Sequence, residues 1–202
     1  EKKDIAITVA DYQNKLKEYL DFLKLPSDRV LVGIEERETI FANIPRVVSK
    51  IEDEKKEASF YISKFIVACG AGLFDAALNY LWGETILCLR KKIVSFDLDY
   101  FKSNLDEKTK KIVKDGSDLR NIDDNEIVVG CKNIGLISDV GFRHLDYIRS
   151  MRNWVSAAHP NQEDLTGLNL CNWLEICIKE VIGKEPVGPA IANKQLLHNI
   201  RT

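Results

Sequence analysis

In almost every apolar segment of this chain the large hydrophobic side chains return every third or fourth residue. That spacing gathers them on one stripe of a 3.6-residue helix, whereas a half-buried strand alternates every second residue. Prolines are scarce, five in 202 residues, which also favours helices. The pattern predicts an all-α fold with no sheet of more than two short strands.

Ile5, Val9, Tyr12, Leu16, Leu20 and Leu23 mark a first helix over 4–25, ended by Pro26 and Ser27. A second covers 35–51, with Pro45 expected to kink or split it. The charged run 52–57 reads as a solvated helix start or as a boundary. We divide the chain there, into an N-terminal helical region over 1–57 and a helical domain over 58–202.

Apolar density rises sharply from Ala58. Gly70-Ala71-Gly72 predicts a break, and 74–94 a long packed helix carrying Ala77, Leu78, Leu81, Trp82, Ile86, Leu89 and Ile93. The basic stretch 107–114 reads as a solvated helix face, and 115–117 as a turn. Asp123 or Asp124 is placed to cap a short helix through Asn133. Ser138 suits the N-cap of the next helix, which reaches about His159; Pro160 stops it by pushing the preceding residue out of the α region. A buried helix over 164–182, a loop over 184–189 and a short tail helix complete the reading. Trp82, Trp154 and Trp173 are expected as core anchors.

Formal net charge is −2, so any nucleic-acid contact must be local. The most apolar stretch, 65–82, is interrupted by Asp75 and Asn79, which argues against a membrane span. No signal-peptide pattern opens the chain, and Glu1 in place of Met is compatible with a piece of a larger protein. Most of the five cysteines lie among aliphatic residues, and none has a CxxC spacing, as expected of buried thiols in a reducing cytoplasm. His144, His159 and His198 make no zinc spacing with them, so no metal or other cofactor is expected.

Chemistry concentrates in Arg152-Asn153 and His159. Seven helical residues turn through about 700°, about 20° short of two full turns, so Arg152 and His159 share a face about 10 Å apart along the axis. Ser156 lies between them on that face. Met151, Trp154 and Ala158 are expected on the more buried side, which leaves the polar pair at the margin of an apolar face. An arginine can grip a phosphate through two hydrogen bonds, and a histidine can move protons near neutrality. The same histidine, in the last turn of a helix, also fits a plain C-terminal cap.

The Arg-polar-x5-His segment, followed by Pro160-Asn161, resembles the signature of the HEPN superfamily. The helix around Asn79-Tyr80-Leu81-Trp82-Gly83-Glu84-Thr85 is similar to the first core helix of some bacterial HEPN domains. The likeness covers about 71–182; residues 1–57 resemble no family. It implies a HEPN-type helical bundle with additional N-terminal helices, acting as a metal-independent endoribonuclease of toxin or phage-defence type. It also implies a homodimer whose paired Arg and His side chains share one cleft. There a ribose 2′-hydroxyl attacks the adjacent phosphate, leaving a 2′,3′-cyclic phosphate. Arg152 and His159 take the principal roles by this likeness, Asn153 a supporting one, and Ser156 and Glu84 weaker ones. RNA is the implied substrate, with an antitoxin or a larger defence complex as further partners. Two other readings stand beside it: a non-catalytic helical module for assembly or ligand sensing, and a nucleotide-binding HEPN relative. Arg90-Lys91-Lys92 reads as an RNA guide or as a solvated helix end.

Overall fold

The protein is seen in a computed structural model that describes residues 2–28, 30–155 and 165–185, with the backbone alone for 2–10. Every regular element among the described residues is helical, as the apolar spacing predicts. In chain order they are α1 (Lys2–Phe22), α2 (Ile34–Val48), α3 (Asp53–Ala58), α4 (Phe60–Ala71) and α5 (Phe74–Phe96). Then come α6 (Leu98–Ser103), α7 (Glu107–Ile112), a 3-10 turn (Gly116–Asn121), α8 (Asp124–Asn133), α9 (Asp139–Val155) and α10 (Gly167–Cys177). A π-helical turn, Ile178–Ile182, continues α10. The chain forms two compact units, Glu1–Leu81 with Arg152–Glu175, and Trp82–Met151 with Ile176–Thr202. The divisions fall within α5, α9 and α10.

In the first unit α1 closes with the paired bonds of a Schellman end. The Leu25 N–H donates to the Leu20 carbonyl and the Lys24 N–H to that of Asp21, both at 3.0 Å. Lys24 occupies the left-handed position usually given to glycine, at φ 58°. Pro45 does not split α2; it stands in the last turn, where its missing N–H forfeits one bond near the helix end. Ile40, Ile44 and Val47 line the buried face of α2, and Ile62, Phe65, Ala68 and Cys69 that of α4.

Gly72 ends α4 at φ 77°, at the break the sequence predicts. Its missing side chain leaves room for a neighbour: a Cβ there would sit 2.4 Å from Nη2 of Arg37. Arg37 is 2% exposed, and its Nε donates to the Val32 carbonyl at 2.7 Å. α10 opens at Gly167; the expected start at 164 lies outside the described residues. Thr166 caps the helix by accepting from the Asn169 N–H at 3.2 Å. The Gly167 N–H donates to Oε2 of Glu36 at 2.6 Å, and a Cβ on Gly167 would meet the Glu36 carbonyl oxygen at 2.3 Å.

In the second unit Trp82, Ile86, Leu89 and Ile93 form the buried stripe of α5. The Trp82 indole donates to Asp124 at 2.8 Å, which answers the cost of burying its N–H. Asp97, Asp106, Asp115 and Asp123 cap the four short elements that follow. Hydrogen bonds from Thr109 hold the Asp106 carboxyl below its ordinary range, and those from Ser117 do the same for Asp115. Arg90 reaches Asp124, and the Lys92 ammonium donates to the Val181 carbonyl at 2.6 Å and to that of Lys184. The basic triplet is therefore no solvated helix end: Arg90 and Lys92 are spent on tertiary contacts, and Lys91 is exposed. Among the described residues no helix is long and apolar enough to cross a membrane.

Candidate functional site

α9 begins where expected, with the Ser138 hydroxyl accepting from the Gly141 N–H at 3.0 Å. Leu145 and Ile148, both fully buried, anchor it. The helix continues to Val155 and so carries Arg152 and Asn153 in its last turn.

Arg152 Nε donates to Asn79 Oδ1 of α5 at 3.0 Å. Its Nη1 makes a longer contact, 3.5 Å, with Asn153 Oδ1. Asn79 in turn donates through Nδ2 to the Asp75 carbonyl at 3.0 Å. That bond decides the orientation of the amide: the NH2 faces the backbone of its own helix and the oxygen faces the guanidinium. The amide oxygen of Asn79 thus helps to orient the guanidinium.

Among the residues singled out from sequence, Arg152 and Asn153 are brought together in this way. Ser156 and His159 lie outside the described residues, as do Pro160, Asn161 and the expected helix end at His159. Glu84 belongs to the second unit and is 2% exposed, with the Cys88 thiol 3.8 Å from its Oε1. Trp154 corrects an expectation: it is 57% exposed and is no core anchor. It sits on α9 at the flank of the buried stripe, where a small rotation of the helix decides between core and solvent. Trp82 and Trp173 are buried as expected.

Asn79 is the residue that sequence reasoning left without a role. Its signal was an amide interrupting an otherwise apolar helical run, but the partner stands 73 positions away.

The described residues contain no group of three or more His, Cys, Asp or Glu side chains able to hold a metal ion. The cysteines are free thiols, four of them buried, and burial makes them weak acids. It pushes Cys88 and Cys171 up to about 11 and Cys177 to about 12, with Cys69 and Cys131 also raised. Thiols held protonated in this way are poor nucleophiles.

Comparison with family models, with curated proteins and with solved structures returned no match.

Proposed function

We propose that this chain is a metal-independent endoribonuclease of HEPN type, of the toxin or phage-defence class. The observation that carries the reading is the setting of Arg152: a guanidinium in the last turn of α9, aimed by the oriented Asn79 amide of a second helix and supported by Asn153. A guanidinium can hold a phosphate through two parallel hydrogen bonds and offset charge in the transition state.

In this mechanism the 2′-oxygen of a ribose attacks the adjacent phosphorus. His159 handles the proton of the attacking hydroxyl. Arg152 offsets charge on the non-bridging oxygens as the bond to the 5′-oxygen breaks. The leaving oxygen takes up a proton, and the products are a 2′,3′-cyclic phosphate and a 5′-hydroxyl. One chain offers few groups for two proton transfers. The proposal therefore places the site at a homodimer interface, where a second His159 protonates the leaving group. An antitoxin or a larger defence assembly would control access.

The test is cleavage of end-labelled RNA in EDTA, beside the same strand with one 2′-deoxy sugar at the cut position. Cutting of the first and resistance of the second are expected. His159→Ala should abolish the activity without unfolding the chain. Equal cutting of the deoxy strand, or a His159→Ala variant that keeps its activity and only melts earlier, would return His159 to the role of a helix cap. Light scattering that shows active enzyme as monomer alone would remove the composite site.

A further inference from the structure

The first unit carries a second feature that the chemistry above does not use. Phe60 and Tyr61 open α4, and Tyr80 lies on α5. The Tyr61 and Tyr80 rings stack with centroids 6.4 Å apart and planes 27° apart. Phe60 meets Tyr61 edge-on, also at 6.4 Å. Lys64, one turn along α4, holds its ammonium 4.9 Å from the Phe60 centroid, 5.6 Å from Tyr61 and 5.4 Å from Tyr80. No carboxylate among the described residues lies within ion-pair distance of Lys64.

Three rings sharing one cation make a rigid platform, since each ring limits the rotamers of the others. A platform meant only for packing would be covered, yet Phe60 is 66% exposed and Tyr61 36%. Among the described residues the positive charge at its centre meets ring faces and no acid. The position matters as well. Tyr80 and Asn79 are successive residues of α5, about 100° apart around it, so the ring cluster and the Arg152 guanidinium flank the same turn of one helix.

We infer that the Phe60–Tyr61–Tyr80 cluster with Lys64 is a holding site for single-stranded RNA. One unpaired base stacks on the open face of Phe60, and Lys64 meets a phosphate of the strand that leads towards Arg152. Aromatic faces beside uncompensated cations are how single strands are held without reading a particular sequence. A duplex keeps its bases stacked inside and has none to offer. This inference rests on the reading of RNA as the substrate.

The experiment measures binding apart from cutting. The full-length His159→Ala chain is titrated into a fluorescent single-stranded RNA and into the same sequence as a duplex, with anisotropy as the readout. The single strand should bind more tightly than the duplex. Adding Phe60→Ala should weaken single-strand binding about tenfold or more, and Phe60→Tyr should restore it. Lys64→Gln should weaken it and reduce the slope of log affinity against log salt by about 0.7, the loss of one phosphate contact. Melting curves guard against unfolding, and at 66% exposure Phe60 lies outside the core.

Single-strand binding unchanged by Phe60→Ala would overturn the platform while leaving the ribonuclease standing. A wild-type chain that binds through Phe60 but never cuts RNA would support the platform and overturn the ribonuclease. No binding of single-stranded RNA, or a Phe60→Ala variant whose one effect is weaker self-association, would overturn the platform in favour of a protein contact.

Discussion

Two arginines of the same unit show opposite uses of one side chain. Arg37 is buried under the bend at Gly72, its Nε given to a backbone carbonyl. Its Nη1 and Nη2 are buried without a hydrogen-bond partner among the described residues, and burial lowers its pKa. Bare N–H groups of this kind cost about 1–3 kcal/mol each, offset by the packing of the aliphatic stem. Arg152 stands at the end of α9 and is held by the amides of Asn79 and Asn153. The difference teaches where to look for function. A guanidinium held by backbone and roofed over serves the fold, whereas Arg152 stands at a helix end beside two amides, where the proposed function needs it.

The largest effect should come from closing the roof over Arg37. Gly72→Val adds a β-branched side chain at φ 77° and drives it into the guanidinium; about 3–5 kcal/mol of stability should be lost, from left-handed strain and overpacking together. Urea melts measure it, and adding Arg37→Ala should recover the overpacking share alone. A Gly72→Val chain as stable as the parent would break the structural half of the comparison.

Next in size is Arg152→Ala, which should lower RNA cleavage by about 10²–10³-fold and move stability by less than about 0.5 kcal/mol. Arg152→Lys should fail nearly as badly, because a point charge lacks the two-pronged geometry. Gels and melts on the same preparations decide it, and a melt that falls with activity in proportion would make Arg152 another Arg37.

Asn79→Ala should cost less, about tenfold in kcat with KM little changed, since Asn79 acts through the guanidinium it hydrogen-bonds. Asn79→Asp sharpens the point. A carboxylate keeps the hydrogen bond but cancels the charge, so it should be the worse variant at neutral pH and improve as pH falls.

The smallest effect concerns burial alone. Cys171, in the same unit, is pushed up to about 11 from an ordinary 9.0 by loss of solvent. A raised folded value means that its contribution to stability is full below about pH 9 and is lost as pH rises towards 11. Urea midpoints at pH 7.5 and pH 10 should differ slightly, and less so in Cys171→Ala. Native chain should also resist alkylation at pH 8 until urea is added.

Local rules made much of this legible in the sequence. Helical spacing predicts the all-α class, Ser138 the start of α9, and Gly72 the break that ends α4. What stayed hidden depends on partners far along the chain. Nothing near Asn79 announces Arg152, and nothing near Lys92 announces the carbonyls of Val181 and Lys184. Trp154 shows the limit of periodicity itself, which finds a helix more surely than it finds the edge of its buried stripe. The resemblance pointed to Arg152 and Asn153, but the amide that aims Arg152 had to be seen in three dimensions.

Lys92 has a further consequence for chemical footprinting. It neighbours Lys91, so one tryptic-scale peptide carries two amines in opposite circumstances. Lys91 faces solvent, while the Lys92 ammonium is tied to carbonyls at the end of the π-helical turn. An amine-reactive label should therefore take Lys91 at once and reach Lys92 only when that turn lets go. The ratio of the two modified forms in a mass spectrum is an internal clock for the opening of the second unit, calibrated within a single molecule.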